Sequence, residues 1–422
     1  MANSLQSDII LNLRYIRIIR FFLLLIGAWP GERFGENIHS RKNYFRFVLI
    51  SYKIAMSFGI FNYLHTYLKT ETLITAGHII IILSLSIVIL IRVIFVHLNG
   101  YGTIVEKFIT DFHLLNFKTV SKNHTTECLR VEKACNYLTK VMATVTLSAL
   151  CVFNMSPMIY NWRNGVFKKN RPDNITIDYV VNYEWFGFNS DDHFYISTFF
   201  LGYFNSYLVS TTVVMLDLFM TIIVLHIIGH INILRNSLKI PPPQTVRVLH
   251  INDISSVNYA VFDADENKSI QQMLIKCVNH HRIIKRFATE SSSGFGPILA
   301  LNYLYQVLNI CVLLFECSHL SSTNIGKYGP LTFMIVAQLV SISVLFEFVK
   351  TASSKLMEDV YAIPWESMDV KNQRTVYMLQ FIVQTPLQVT ALKMVPVGVT
   401  TMQQIIKSSL SYYAFLRTKS TF

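Results

Sequence analysis

Seven long apolar stretches constrain this chain more than any other feature of its sequence. A helix that crosses a bilayer needs about 20 mostly apolar residues. Only 15% of the 422 residues are charged, whereas soluble domains carry about 25%, so a soluble enzyme with one membrane anchor is excluded. The stretches cover approximately 44–64, 73–98, 137–160, 195–232, 297–319, 330–350 and 394–416. The sequence therefore predicts an all-α polytopic membrane protein with seven transmembrane helices.

Three further segments complete the predicted organisation. The fourth stretch is too long for one crossing, and we expect it to continue into the cytosol as a helix that ends near Leu238. An amphipathic helix at about 370–388, broken at Pro386, precedes the seventh stretch. Arg14, Arg17 and Arg20 before an apolar run resemble a signal peptide, but the sequence after the run is a poor cleavage site. We expect a short membrane-associated helix there.

The distribution of Lys and Arg predicts the orientation of the helices. With a cytosolic amino terminus, the inner segments hold 23 of the 37 Lys and Arg residues and the outer segments hold 8. Positive residues favour the cytosolic side. We therefore predict a cytosolic amino terminus and an extracellular carboxyl terminus, which is opposite to G-protein-coupled receptors. Among the sequons, Asn174 lies in the largest outer loop and is the predicted glycosylation site, whereas Asn123 and Asn267 lie in inner loops.

The seventh stretch carries a polar stripe. Its members recur at steps of three or four residues and share one helical face: Thr400, Gln404, Ser408, Ser411, Phe415 and Thr418. Lipid does not satisfy hydroxyl and amide groups, so this face must meet water or protein. We predict a pore-lining helix, and several subunits around one axis would form the pore. The alternative is a polar seam between helices.

Charged residues inside the predicted spans mark a second set. Arg92, Lys140, Asp217 and Glu347 fall in the inner halves of spans two, three, four and six. Intramembrane charges usually pair or carry function, and we expect Asp217 to pair with Arg92 or Lys140. Such a pair either fixes helix packing or changes partner on gating. His226 and His230 lie one turn apart, but no third ligand is evident, so no metal site is predicted.

The outer halves of the same spans are nearly free of charge and rich in aromatic residues. This composition suits a small neutral apolar ligand. The alternative is an aromatic belt that faces lipid. His78 or Tyr203 is the predicted hydrogen-bond partner for the polar end of the ligand. The predicted ligand-binding residues are His78, Ile79, Ile82, Thr146, Leu150, Phe153, Asn154, Phe200, Tyr203, Phe204, Tyr207, Phe333, Met334 and Ala337.

Other classes of function find no support in the sequence. The net charge of +12 is explained by loop topology, and no basic run alternates with stacking aromatics, so nucleic acid is not expected. The sequence contains no Gly-rich phosphate loop, HExxH or GxSxG motif. We therefore predict no enzyme activity, no cofactor and no metal.

Several motifs follow one another in a specific order along the chain. The carboxyl-terminal motifs are Tyr361–Asp369 (YAIPWESMD), Pro396–Val399 (PVGV) and Ser408–Arg417 (SSLSYYAFLR). The aspartate and histidines of span four and the histidine pair of the following inner loop belong to the same set. Together these motifs resemble the insect odorant receptors. The segment Asn154–Met158 and the run that starts at Gly229 resemble moth receptors, especially the pheromone-receptor group.

The resemblance implies a function and partners. Such a chain would be the tuning subunit of a ligand-gated, non-selective cation channel, in a heterotetramer with the olfactory co-receptor. The gate would lie near Phe415 and Thr418, and the plasma membrane of olfactory sensory neurons would be the location. The expected ligand is a long-chain unsaturated pheromone component. Alternatives are a plant-volatile receptor of the same family and a gustatory-type or metabotropic seven-span receptor.

The resemblance and the loop pattern together give four predicted regions. Residues 1–43 form a cytosolic amino-terminal segment. Residues 44–350 form the ligand-binding bundle, with inner loops at 99–136 and 233–295. Residues 351–393 form a cytosolic anchor, and residues 394–422 hold the pore-lining span and a short outer tail.

Overall fold

Helices make up most of the protein, as the apolar stretches predict. The structure, a computed structural model, describes residues 2–36, 39–69, 77–117, 122–166, 195–243, 246–252, 255–318, 322–392 and 394–420. The α-helices in these residues are α1 (Ala2–Leu11), α2 (Arg14–Leu25), α3 (His39–Tyr67), α4 (Gly77–Val96), α5 (Asn99–Lys107), α6 (Lys122–Arg163), α7 (Tyr195–Ser237), α8 (Ala264–Ser318), α9 (Ser322–Tyr361), α10 (Val370–Val383) and α11 (Val399–Ser420).

Several of these helices are longer than the apolar stretches within them. The prediction that span four continues to about Leu238 is confirmed, since α7 ends at Ser237. Helices α6 and α8 begin well before their apolar stretches, at Lys122 and Ala264, so the segments 99–136 and 233–295 expected between spans are helical over part of their length. Hydropathy marks only the part of a helix that lies in lipid, whereas helical periodicity continues through polar residues. The 55 residues of α8 extend about 80 Å, far beyond the bilayer.

Side-chain caps begin two helices at neighbouring points. Asp263 Oδ1 accepts the Glu266 N–H at 2.7 Å, and Glu266 Oε2 accepts the Asp263 N–H at 2.8 Å. This reciprocal pair is a capping box that starts α8. Asp369 caps α10 in the same manner through the Asn372 N–H at 2.8 Å. Asn267 joins the two caps, because its side-chain oxygen accepts the Asp369 N–H at 3.0 Å.

Two small antiparallel hairpins interrupt the helical order within the described residues. Strands β1 (Val246–Asn252) and β2 (Ser255–Ala260) pair between α7 and α8, and strands β3 (Thr390–Ala391) and β4 (Val395–Pro396) pair between α10 and α11. The helix of the seventh predicted span, α11, therefore begins at Val399 rather than at residue 394, because Val395 and Pro396 form the short strand before it.

Helix α7 lies at the centre of the bundle. Its residues from Met215 to Val224 are almost all buried, on every side of the helix, which is the pattern of a helix surrounded by protein. It packs against α4, α6, α8 and α9 and also against α2. Six helices, α3, α4, α6, α7, α8 and α9, are long and apolar enough to cross a membrane within the described part of the chain. Helix α11 has 22 residues, but its polar stripe lowers its mean hydropathy.

Candidate functional site

The two faces of α11 differ sharply in exposure. Thr401, Ile405 and Ser409 are buried against α8 and α9, and the Ser409 hydroxyl donates to the Val307 carbonyl of α8 at 3.2 Å. The six residues predicted to line a pore are all exposed on the other face: Thr400, Gln404, Ser408, Ser411, Phe415 and Thr418. The polar stripe therefore faces away from the helices of its own chain.

Glu347 of α9 contacts the first residue of α11 and takes no part in the Arg92–Asp217 network described below. Its Oε2 accepts the Val399 N–H at 3.2 Å, and its Oε1 accepts from Lys350 Nζ at 3.1 Å. Helix α9, which contains the sixth span, thus contributes a carboxylate to the positive, amino-terminal end of α11.

Arg92 and Asp217 form the buried ion pair that the sequence allows. Arg92 is 1% exposed, and its Nη2 lies 3.1 Å from Asp217 Oδ1. Arg92 Nη2 also donates to Asn302 Oδ1 at 2.7 Å, and Gln338 Nε2 donates to Asp217 Oδ2 at 2.7 Å. Helices α4, α7, α8 and α9, which contain predicted spans two, four, five and six, meet at this network. Lys140, the alternative partner, is exposed.

Lys53 is a further charged residue inside a predicted span that the sequence predictions left out. Lys53 of α3 is 1% exposed, and its Nζ donates to Asn205 Oδ1 of α7 at 3.0 Å. The signal was available, because a lysine lies in the middle of the predicted first span. Its position links the first span to the central helix.

A row of amides on α8 was also missed. Asn302, Gln306 and Asn309 recur at steps of four and three, so they share one buried face of span five. Asn302 contacts Arg92, and Asn309 Oδ1 accepts from the Ser84 hydroxyl of α4 at 3.0 Å. The stepwise spacing is the same signal that revealed the stripe on α11.

The predicted ligand-binding residues divide into buried and exposed members. Ile79, Thr146, Leu150 and Asn154 are buried. Ile82, Tyr203, Tyr207 and Ala337 are half-buried. Their helices α4, α6 and α9 all pack against α7. The side chains of His78 and Met334, and residue Asn174, lie outside the described residues.

The exposed members fit the alternative of an aromatic belt. Phe153, Phe200 and Phe333 are 58%, 66% and 74% exposed, so their rings lie on the outside of the bundle. Phe204 is 38% exposed, and its ring meets the edge of Tyr52 on α3 at a centroid distance of 5.3 Å. A lipid-facing position is favourable for such rings.

Histidines converge where α2, α7 and the segment after α5 meet. The Leu115 N–H donates to His113 Nδ1 at 3.1 Å, so Nε2 carries the proton of the neutral ring, and it lies 2.5 Å from the Tyr15 hydroxyl. His226 Nε2 lies 3.3 Å from the same hydroxyl. Burial, reinforced by the charge of the nearby His230, lowers the pKa of His113 to about 3. Burial also raises the pKa of Tyr15.

A second pair, His230 and His280, lies beside the first. We call the four residues His113, His226, His230 and His280 the histidine chain. His230 Nε2 donates to the Phe112 carbonyl at 2.7 Å, and its Nδ1 therefore accepts from His280 Nε2 at 2.9 Å. Sequence spacing showed only His226 and His230, because His113 and His280 reach them through tertiary packing. Within the described residues, no group of three metal-ligating side chains is arranged to hold an ion.

An apolar groove of about 400 Å³ lies beside α10. It is formed where the end of α9 meets α10, and three of its aromatic side chains are exposed: Tyr361, Trp365 and Tyr377. Phe381, one turn after Tyr377, is 69% exposed on the same helix. Exposed apolar surface of this kind is typical of interaction sites.

Known proteins are similar to this chain in sequence and in fold. The chain is 25% identical over 153 residues to Odorant receptor 10 of Aedes albopictus, covering 36% of this chain and 41% of that protein. It is 30% identical over 143 residues to Odorant receptor 45a of Drosophila melanogaster, covering 33% and 38%. The alignments therefore span about two fifths of the length of these relatives.

The fold agrees over nearly the whole chain. The olfactory receptor OR5 from Machilis hrabei superposes with a TM-score of 0.71 at 14% identity, covering 96% of this chain and 97% of OR5. Its complex with eugenol superposes with a TM-score of 0.73 at 13% identity, covering 97% and 99%. The family model described as 7tm Odorant receptor matches residues 72–410. This match covers well over half of the sequence, and the chain therefore belongs to the 7tm odorant receptor family, whose members are receptors rather than enzymes.

Proposed function

We propose that this chain is the ligand-recognising subunit of a ligand-gated, non-selective cation channel. The observation that carries the proposal is the exposed polar stripe of α11, on a helix whose opposite face is buried against α8 and α9. Hydroxyl and amide groups can replace part of the hydration shell of a passing cation. One chain supplies one such helix, so the pore needs several subunits around an axis.

The partner in this assembly is the olfactory co-receptor, in a heterotetramer. Membership of the family implies this partner, and the groove beside α10 offers a surface for it. Tyr361, Trp365 and Tyr377 are exposed there, and aromatic side chains dominate the energetics of protein interfaces. The amino terminus lies in the cytosol and the protein resides in the plasma membrane of olfactory sensory neurons.

The ligand is a small neutral apolar volatile that binds between the outer halves of spans two, three, four and six. The buried and half-buried members of the predicted set support this location, and the structure of OR5 with eugenol supports a small organic molecule. The resemblance to moth pheromone receptors favours a long-chain unsaturated acetate, aldehyde or alcohol. Each buried methylene of such a ligand contributes about 0.8 kcal/mol. A plant volatile is the alternative ligand.

Two adjacent glutamines on α11 provide a matched test of the pore. Gln404 belongs to the stripe, whereas Gln403, which is also exposed, lies about 100° around the helix. The chain would be expressed in oocytes with an insect olfactory co-receptor, and ligand-evoked currents recorded in sodium, potassium and calcium solutions. We expect Gln404→Ala to shift the reversal potentials and Gln403→Ala to leave them unchanged.

Three outcomes separate the alternatives. A current that depends on both subunits and survives block of G proteins supports the channel over a metabotropic receptor. Unchanged permeability in Gln404→Ala, Ser411→Ala and Thr418→Ala would reduce the stripe to a packing seam. Equal effects of Gln403→Ala and Gln404→Ala would show that the permeability change is not specific to the proposed face.

A further inference from the structure

The connection from α10 to α11 is hydrogen-bonded to two neighbouring helices, α8 and α9. Ser292 Oγ of α8 accepts the Thr390 N–H at 3.0 Å, and Ser353 Oγ of α9 accepts the Leu387 N–H at 2.9 Å. Gly296 lets the hairpin approach α8, because a Cβ there would lie 3.1 Å from the Thr390 carbonyl oxygen. The point at which α11 begins is therefore set by side chains of spans five and six.

Glu347 makes the last of these contacts, at the first turn of α11 itself. The Gly398 carbonyl accepts the Met402 N–H at 3.1 Å, so Val399 is the first helical residue and its N–H has no partner inside the helix. Glu347 Oε2 accepts this N–H at 3.2 Å. The carboxylate thus satisfies an open donor and interacts with the positive end of the helix dipole.

Gly398 is the residue that makes this contact possible. A Cβ at this position would lie 2.5 Å from Glu347 Oε2, which is shorter than any ordinary contact between a methyl carbon and an oxygen. Gly398 is also buried, so the added atom has no open space into which to turn. Substitution of Gly398 would therefore displace the carboxylate without removing it.

The same helix that carries Glu347 also carries a predicted ligand contact. Ala337 lies ten residues earlier on α9, about 15 Å along the axis. A displacement of α9 caused by ligand in the outer half would be transmitted along a continuous helix to Glu347. The carboxylate would then move the start of α11, whose polar stripe is the proposed pore wall.

We propose that Glu347 is a positioning residue that couples span six to the pore helix. The proposal rests on the proposed channel function. Without the contact, binding of ligand to α9 no longer biases α11, and a ligand opens a channel only to the extent that binding and opening are coupled. Loss of the contact therefore lowers the fraction of time that the ligand-bound channel is open, and it leaves conduction through the open pore unchanged.

Three variants test the contact from both sides, and a fourth is the control. Glu347→Gln keeps an acceptor but removes the charge, Glu347→Ala removes both, and Gly398→Ala displaces the carboxylate. Glu358→Gln, an exposed glutamate on the same helix, is the matched control. Currents are evoked by the long-chain unsaturated acetate that gives the largest response in the wild-type complex, at a saturating concentration, in cells that also express the co-receptor. Noise analysis of these currents separates open probability from unitary current.

We expect open probability to fall at least threefold in Glu347→Ala and Gly398→Ala, and less in Glu347→Gln. Unitary current and reversal potential should match wild type in all four, and Glu358→Gln should match it throughout. Because open probability is a property of each channel at the surface, reduced trafficking alone would not change it.

The other outcomes also decide the question. Wild-type open probability in Glu347→Ala overturns the proposal, and so does a fall in unitary current without a change in open probability, since Glu347 would then act on permeating ions. If Glu347→Ala does not reach the surface, unchanged open probability in Gly398→Ala is decisive against it. Absence of current from the wild-type complex for long-chain acetates, aldehydes and alcohols and for plant volatiles would instead reject the proposed function on which the proposal rests.

Discussion

The two ends of the helix bundle hold their polar side chains in different ways. The histidine end carries the histidine chain, α1, α2 and residues 99–117. There, polar side chains reach from one helix to another: Asn232 of α7 donates to Glu127 Oε1 of α6 at 2.7 Å, and His230 of α7 pairs with His280 of α8 at 2.9 Å. Arg235 of α7 also forms an ion pair with Asp359 of α9.

The opposite end, where α3, α6 and α8 end, relies more on contacts within single helices. Thr146, Asn154 and Ser206 each donate to a carbonyl four residues earlier in their own helix, at 2.7, 2.8 and 2.9 Å. Among the described residues, four contacts at this end do cross between helices: Lys53 with Asn205, Tyr52 with the Leu201 carbonyl, Ser57 with Ser86, and Ser84 with Asn309. Most of the aromatic rings predicted to contact ligand lie half-buried or exposed at this end.

This difference assigns different mechanical roles to the two ends. Hydrogen bonds between helices are directional and fix their relative positions, whereas apolar packing is non-directional and tolerates small shifts. A ligand that binds at the opposite end, as proposed, can therefore move helices that the histidine end holds in register. The Arg92–Asp217 pair lies between the two regions and joins four spans.

Breaking the Arg92–Asp217 pair should have the largest effect. Arg92→Met would leave the Asp217 carboxylate without its buried partner, which typically costs about 3–5 kcal/mol. We expect most of the receptor to be lost from the cell surface, with a lower midpoint of thermal unfolding for the remainder in detergent. Lys140→Met removes an exposed lysine and should behave as wild type. Equal surface labelling of both variants would contradict a role for the pair in holding four spans together.

The second-largest effect is expected on acidification, which should lower the free energy of unfolding through the histidine end. His113 has a pKa of about 3 in the folded protein and about 6.5 when unfolded. The unfolded state thus binds more protons between these values. The contribution of His113 to the free energy of unfolding is therefore constant above pH 6.5 and decreases as the pH falls towards 3. The slope is about 1.4 kcal/mol per pH unit for this histidine, or about 2 kcal/mol at pH 5.

Thermal unfolding of the detergent-solubilised protein at a series of pH values measures this slope. In His113→Gln the slope between pH 6.5 and 5 should decrease, although the variant is less stable at neutral pH because it loses the contact with Tyr15. An unchanged slope would show that His113 is not neutral in the folded protein.

The helices could be predicted from the sequence because lipid imposes one rule along each of them. A run of about 20 apolar residues needs no tertiary information to be recognised, and the polar stripe of α11 breaks that rule at a regular spacing. The extensions of α6 and α8 could not be found in the same way, because they leave the lipid and their hydropathy no longer differs from that of a loop.

Pairing between helices was predictable only in part. Both Arg92 and Lys140 lay at a suitable depth for Asp217, and the rotation of each helix about its own axis decides between them. That rotation depends on all neighbours at once, and one sequence does not fix it. The same reason explains why the contacts of His113 and His280 with the histidines of α7, and the contact of Glu347 with the start of α11, were not predicted.

A substitution at Asn154 would sharpen the description of the opposite end. Asn154 is fully buried, and its Nδ2 donates to the Leu150 carbonyl while its Oδ1 has no hydrogen-bond partner among the described residues. This oxygen would accept a hydrogen bond from an alcohol, but an acetate or aldehyde has no proton to donate. A neutral hydrogen bond contributes about 0.5–1.5 kcal/mol.

We therefore expect Asn154→Leu to weaken responses to long-chain alcohols about threefold to tenfold, relative to acetates and aldehydes of equal chain length. The measurement is the ratio of half-maximal concentrations within one variant, in which differences in expression cancel. A uniform loss for all three ligand classes would indicate that Asn154 supports α6 rather than contacts ligand.

The smallest effect is expected at Phe200, and it tests where the ligand pocket ends and the lipid-facing surface begins. Phe200 is 66% exposed, so little of its ring faces the space between the helices where a ligand could contact it. Phe200→Ala should therefore shift the half-maximal ligand concentration by less than about twofold, whereas Tyr203→Ala, at a half-buried position on the same helix, should shift it more. If Phe200→Ala had the larger effect at equal surface expression, the exposed ring would belong to the pocket, and the ligand would enter or bind from the lipid side of α7.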